Sequence, residues 1–344
     1  MQREWSMSLR LLAPMLVLAI AAASLGSAQE REYLPVPEGA GGVPIDQEKG
    51  YYLGEIGNGL YFVTEGVYQA MFYVTAEGVV LVDAPPTLAE AIPAAIAEVT
   101  EQPVTTFIYS HSHGDHVGAA GRFIGEGTQV IAHEETHRIL SDANDPQRPL
   151  PTRTFTDATI LNLGGEVLRL HYFGNNHEPG NILIYAPEQK VLMLVDIVWP
   201  GWAPFAELGY AQDIPGFIDY HDYALSFDFE TFIGGHLGRP GTREDVEMSK
   251  QFVTDLRENA LDALRTIDPF EVAQTQNVPL DNPWAIFEAY LEEVSNQCSA
   301  TTNEGWGGRL AGVDVFSGSN CDAIVLSVRV DENGVGRGFE TLED

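Results

Sequence analysis

The chain has 344 residues, enough for one large domain or two modest ones with a sizeable buried core. Against 18 basic residues stand 50 acidic ones, and the formal charge of −32 repels nucleic acid, anionic lipid and polyanionic substrates. Because 44% of residues are hydrophobic and the charges are dispersed, the composition excludes a disordered chain.

The chain opens with a basic front (Arg3, Arg10), an apolar run from Leu11 to Ala23 and the small residues Gly26-Ser27-Ala28. The run is short for a membrane span and is flanked like a signal peptide, so residues 1–28 are expected to be removed on export. The expected location is secreted or periplasmic, with no stable membrane insertion. Residues 29–50, rich in Pro and Gly, read as an extended arm. "YYLGEIG", "LYFVTEG", "QAMFYVTAEG" and "VVLVDAPP" then read as strands of an antiparallel meander. "TLAEAIPAAIAEVT" has helical spacing, "VTTFIYS" reads as a strand and "HVGAAGRFI" as a helix. In "TQVIAHEETHRIL" a short strand enters a helix.

After a Pro-rich loop, strands return in "ATILNLGG", "EVLRLHYFG", "NILIYAPEQ" and "KVLMLVDIVWPG". An aromatic loop spans Trp199 to Tyr223, and "FETFIGGH" ends at His236. The order β-rich, α/β, β-rich, α/β predicts two face-to-face sheets with helices outside, in a domain spanning residues 51–245. Thr242 and the acidic residues after it mark a helix start. Residues 246–344 read as an α+β extension of helices plus a small hairpin region tied by a Cys298–Cys321 disulfide. Closing that loop contributes about 3 kcal/mol.

The most informative residues are "HSHGDH", His111 to His116, directly after a strand. In an extended loop residues two apart point to one side, so His111 and His113 converge on one ion. Asp115 and His116 can face a second ion beside it. Imidazole and carboxylate are zinc ligands, and that much polarity makes little sense as structural filler. His177 in "GNNHEPGN", Asp196 at the end of "VLMLVD" and His236 at the end of "FETFIGGH" supply further candidates at strand ends.

On these residues the chain resembles the metallo-β-lactamase superfamily over roughly residues 50–245, through "HSHGDH", "NNHEPGN", "LVDIV", "GGHLG" and "VVLVDAP". The resemblance implies an α/β, four-layer αββα sandwich and a site with two zinc ions. His111, His113 and His177 would bind one ion. Asp115, His116 and His236 would bind the other, with Asp196 bridging and Asp83 beside the site. A hydroxide held between the ions would be the nucleophile, and Asp115 would orient it or pass a proton to the leaving group. The bridging Asp196 resembles thioesterases and lactonases of the glyoxalase II and acyl-homoserine-lactonase type; β-lactamases of this fold tend to carry Cys or Ser there.

The expected function is an exported zinc hydrolase acting on an ester, lactone, thioester or amide of a small neutral or apolar substrate. Its alternatives are a β-lactamase, a one-iron enzyme like the persulfide dioxygenases, and a non-catalytic metal-binding protein. Trp199, Trp202 and Phe205 are candidates for an apolar pocket wall. His221 reads as a residue of the same loop, exposed or facing the substrate, and His171 as a core or edge histidine. "HEETH", His133 to His137, matches the zinc-protease pattern H-E-x-x-H. A strand ends at the motif and Pro146 soon limits the helix, which instead suits a helix N-terminal surface position with Glu134 and Glu135 in the first turn.

Overall fold

Period-two alternation of apolar side chains gives the chain its strands, and the central strands are covered on both faces, the strand Gly78–Val82 for instance being buried throughout. A computed structural model of the protein describes residues 32–331; the expected signal peptide lies outside them. The first sheet has seven strands in sequence order: β1 (Tyr52–Gly57), β2 (Leu60–Thr64), β3 (Gln69–Thr75), β4 (Gly78–Val82), β5 (Val104–Ile108), β6 (Gln129–His133) and β7 (Arg153–Phe155). β1 to β4 form the antiparallel meander, and β4 to β7 run parallel. Helices α1 (Ala91–Val99), α2 (Gly114–Val117) and α3 (Glu134–Ala143) supply the connections.

The second sheet has the order β12-β11-β10-β9-β8, from β8 (Ala158–Leu163), β9 (Glu166–His171), β10 (Leu183–Ala186), β11 (Val191–Met193) and β12 (Thr231–Ile233). Between β11 and β12 lie α4 (Ala206–Tyr210) and α5 (Ile214–Leu225). The chain continues through α6 (Arg243–Thr266), α7 (Pro269–Thr275), α8 (Pro283–Trp306) and α9 (Val313–Val330).

Three apolar cores separate the four layers. Met71, Val80, Val82 and Ile108 of the first sheet meet Leu168, Leu170, Ile184 and Met193 of the second. The alternate residues Phe72, Val79, Leu81 and Phe107 face Ile92, Ile96 and Leu140 of α1 and α3. On the far side Leu183, Leu192 and Phe232 pack under Phe217, Val253 and Leu256 of α5 and α6, and that core continues into Tyr290, Val294, Ile324 and Val328 of α8 and α9. The four-layer αββα fold is therefore present, with the C-terminal helices sharing the core of the outer layer. α6 starts at Thr242 in a capping box, with Asp245 accepting from the Thr242 backbone N–H at 2.8 Å.

Three expectations change. "HVGAAGRFI" does not make one helix: α2 is a single turn, followed by a 3-10 turn at Ala120–Arg122. The expected aromatic loop contains the short α4 turn and all but the last two residues of α5. Over the described residues the extension is helical, with no hairpin. Cys298 does bond Cys321, but the bridge joins α8 to α9. Buried Val313, Ser317, Asn320, Cys321, Ile324 and Val328 fall at i, i+4, i+7, i+8, i+11 and i+15, the period of a helix packed on one side. No described helix is long and apolar enough to cross a membrane.

Candidate metal centre

Every candidate ligand sits at the carboxyl end of a strand or in the loop or short turn that follows it, where parallel strands leave room for ligands. His111 and His113 follow β5, and the single turn of α2 swings Asp115 and His116 back beside them. Asp83 follows β4 and Asp196 follows β11, both with left-handed φ (62° and 61°), which aspartate tolerates better than most residues. Asp83 accepts the Ser110 N–H at 2.9 Å and so fixes where "HSHGDH" begins. His177 is held in the β9–β10 loop by Asn176, whose Oδ1 accepts its backbone N–H at 2.6 Å. His236 follows β12 through Gly235, which has φ 87°. A Cβ on Gly235 would lie 2.5 Å from Val195 Cγ1 and 3.1 Å from His116 Cε1, so only glycine lets His116 in.

The seven residues form two adjoining groups, His111, His113, His177 and Asp196 in one, Asp115, His116 and His236 in the other. Within each, one donor atom per residue lies within 4.8 Å of the rest. His177 Nε2 faces His113 Nδ1 at 3.0 Å, and His116 Nε2 faces His236 Nε2 at 3.0 Å. Asp196 joins the groups. Its Oδ2 is 3.2 Å from both His177 Nε2 and His116 Nε2 and 3.6 Å from His111 Nε2, while its Oδ1 is 3.0 Å from His236 Nε2. Asp115 Oδ2 lies 3.6 Å from His116 and 3.9 Å from His236.

These residues fit divalent metal. A tetrahedral zinc with ligand bonds of about 2.0–2.1 Å separates its donors by about 3.3 Å, close to the spacings above. His111 Nε2 is fully enclosed and has no hydrogen-bond partner, a costly arrangement for a polar atom unless a cation takes its lone pair. Burial pushes the His111 imidazole well below its ordinary range, and His113 and His116 push it further. The neutral, ligating form is thereby favoured. Burial opposes ionisation of Asp196, yet His116, His177 and His236 outweigh it and hold that carboxyl well below the usual range. Burial disfavours charge on His116 too, but Asp196 and Asp115 lift it to about 9. Asp83, enclosed beneath them, is pushed up to about 6 by burial, against the pull of His116.

Three positioning residues escaped the sequence reading. Glu178 is buried; its carboxylate accepts from Ser112 N at 2.9 Å and Ser112 Oγ at 2.8 Å and lies 3.3 Å from His113 Nε2. It therefore orients the ring whose other nitrogen faces His177. Tyr68 lays its ring 4.7 Å from His236 and 5.6 Å from His116, with its hydroxyl 3.4 Å from Asp115 Oδ2. Burial and then Asp115 push that phenol up to about 12, so it stays a proton donor. Gln69 grips the loop that carries His236. Replacing Glu178 with glutamine keeps an acceptor for Ser112 but removes the charge behind His113. Affinity for divalent metal is expected to fall 10- to 100-fold, read by chelator competition. An unchanged affinity would mean that Glu178 serves Ser112 alone.

The pocket candidates divide. Trp199 and Phe205 lie with ring centroids 6.5 and 6.2 Å from His236. Trp202 points elsewhere: its indole donates to Ala40 O at 2.9 Å and pins the N-terminal arm. His221 is neither exposed nor facing the site; it is enclosed in α5 with Nε2 3.0 Å from Ser249 Oγ, and burial lowers its pKa to about 4. His171 is half-buried in β9 beside Phe173 and Phe227. In "HEETH", His133 is buried rather than on the surface, because it closes β6 and caps α3 by accepting from Glu135 N. His137 is one turn on, and neither ring belongs to a donor group of the described residues.

The family model described as the metallo-beta-lactamase superfamily matches residues 63–268. A 2,4-dinitroanisole O-demethylase subunit alpha from Nocardioides sp. (strain JS1661) is 28% identical over 236 residues, covering 65% of this chain and 70% of that protein. A metallo-beta-lactamase type 2 from Bacteroides fragilis is 35% identical over 89 residues, 26% of this chain, so the match spans about a third (34%) of that relative's length. Among solved structures, a metallo-beta-lactamase from Pontibacter korlensis superposes with a TM-score of 0.50 at 23% identity, over 58% of this chain and 99% of its own. That likeness is one of fold.

Proposed function

The chain belongs to the metallo-beta-lactamase superfamily, and from that premise we propose that it is an exported hydrolase holding two zinc ions and cleaving an ester, lactone, thioester or amide bond of a small, neutral, partly apolar substrate. The observation that carries this reading is Asp196, whose two oxygens contact histidines of both donor groups. Five imidazoles and two carboxylates, with no thiolate, suit zinc among the common divalent ions. Bound there, two zinc ions supply a water that ionises near neutral pH and a Lewis acid for the scissile bond.

The protein's own groups do the rest. His111, His113, His177, His116, His236 and Asp196 fix the donor set from strand ends. Asp115 is the most solvent-open of the ligand candidates, with 45% of its side chain exposed against 32% for His113, and is placed to hold a proton and return it to the leaving atom. The Tyr68 hydroxyl beside it can donate to a developing negative charge. Trp199 and Phe205 exclude water on one side, and the net charge of −32 disfavours anionic substrates. The leader-like residues 1–28 and the Cys298–Cys321 bridge support export to an oxidising compartment.

The test is metal analysis of the mature protein together with a panel of nitrocefin, a lactone, a thioester, an aryl ester and, from the name of the Nocardioides relative, 2,4-dinitroanisole. Two zinc per chain and turnover of a carbonyl substrate are expected, with zinc falling to about one per chain and turnover lost in His113→Ala. One iron per chain points to an oxygenase instead, and bound zinc without turnover of any panel member overturns the enzyme reading.

A further inference from the structure

The segment leaving Asp196 carries the aromatic side of the site and ends in an improbable turn. Glu207, Leu208, Gly209 and Tyr210 take φ of 55°, 54°, 70° and 58° in succession, a left-handed helical turn that L-residues avoid. The turn is locked to the wall on one side: a Cβ on Gly209 would lie 2.6 Å from Trp199 Cη2, and the Phe205 ring meets Trp199 edge-on at 5.6 Å. Tyr210 extends the same surface, 5.6 Å from Phe205 and 60% exposed.

What holds the turn is α9. Asn320 is completely buried, and both ends of its amide are used on this segment. Its Oδ1 accepts from Leu208 N at 2.8 Å, and its Nδ2 donates to Pro204 O at 2.9 Å. The Ser319 hydroxyl accepts from Glu207 N at 3.4 Å. The next residue, Cys321, is bonded to Cys298 of α8, so the clamp is itself fixed to the helical layer. A segment with left-handed backbone keeps that shape only where its surroundings over-determine it.

We propose that the C-terminal helices determine substrate choice: Asn320 is a positioning residue that holds Phe205 and Tyr210 as an aromatic shelf beside His236, so that the site prefers substrates with an aryl group next to the scissile bond. The proposal rests on the hydrolase reading above. Phe205 and Tyr210 offer ring faces and edges on which an aromatic substituent stacks, whereas a small alkyl group covers little of either. The site end of the molecule and the extension thus act together, although 124 positions of sequence separate Asp196 from Asn320.

The experiment compares the zinc-loaded full chain with Asn320→Ala, Asn320→Asp and Phe205→Ala, using phenyl acetate and methyl acetate as probes. For Asn320→Ala the aryl-over-methyl ratio of kcat/KM is expected to fall at least tenfold, mainly through KM for the aryl ester, with zinc content kept at two per chain. Phe205→Ala is expected to give the same loss without touching α9, and Asn320→Asp, which keeps the acceptor for Leu208 but not the donor to Pro204, an intermediate one. Amide exchange across residues 205–210 is expected to accelerate in both Asn320 variants. A ratio unchanged in Asn320→Ala and Phe205→Ala overturns the proposal, as does a parallel fall for both esters with loss of zinc. If no ester is turned over, the hydrolase reading fails and exchange decides separately: acceleration confined to residues 205–210 supports the clamp, and unchanged exchange refutes it.

Discussion

Asp196→Ala is expected to abolish stoichiometric zinc binding at both donor groups and to lower kcat/KM on the best panel substrate roughly a thousandfold or more. The Asp196 carboxylate contacts histidines of both groups. Its Oδ2 lies within 3.2 Å of His177 and His116, and its Oδ1 is 3.0 Å from His236. Removing it leaves five imidazoles around an enclosed space without the buried anion that offsets two dications. His236→Ala should differ in kind, costing the group with Asp115 and His116 while His111, His113, His177 and Asp196 keep theirs. Metal analysis after dialysis against a weak chelator separates these outcomes: about none for Asp196→Ala, one for His236→Ala. The paired control is "HEETH". His133→Ala and His137→Ala are expected to leave zinc content at the wild-type value, since His133 caps a helix and bonds Thr156 O. Wild-type zinc content in Asp196→Ala would remove the bridging role.

The seven candidate donors that the structure brings together could be picked out because their chemistry is local in sequence or marked by strand ends. "HSHGDH" places four donors within six residues, and each remaining ligand ends an apolar run or interrupts two of them. The fold was legible for the same reason: alternation in β3 and β4 divides Met71 and Val80 from Phe72 and Val79, and those pairs do face different layers. What the pattern hides is long-range. Gln69 and Tyr68 act on a loop some 167 positions away, and no periodicity announces such a pair. Glu178 stood inside "NNHEPGN", yet nothing local says that its carboxylate serves His113 rather than its neighbour His177. Trp202 and His221 failed for a related cause. An aromatic-rich stretch does not say which rings face a site, and here Trp202 covers the N-terminal arm while α5 turns His221 inward. The expected hairpin gave way to α8 and α9; α8 starts with Asn282 as its cap and Pro283 in the first turn.

Gln69→Leu is expected to weaken one donor group selectively and to lower stability by about 3 kcal/mol or more, summing unsatisfied buried groups at about 1–3 kcal/mol each. Gln69 is fully buried at the first position of β3. Its Nε2 lies against three carbonyls of the loop after β12, at 2.9 Å from His236 O, 3.1 Å from Arg239 O and in contact with Leu237 O. Its Oε1 accepts from Gly235 N at 3.1 Å, and its backbone N–H donates to Gly235 O at 2.9 Å. Leucine keeps the volume and the backbone bond but strands the Gly235 N–H and the carbonyls. The loop must then shift to find other partners, taking His236 with it. Chelator titration should therefore resolve two steps, with the affinity of the group containing His236 falling 10- to 100-fold and that of His111, His113 and His177 nearly unchanged. Gln69→Glu is expected to be worse, because it sets a carboxylate against three carbonyl oxygens in a dry site. Stability and metal affinity distinguish the roles. A fall in urea-unfolding free energy with both affinities intact makes Gln69 a fold residue only, whereas a selective loss at His236 makes it the group that presents that ligand.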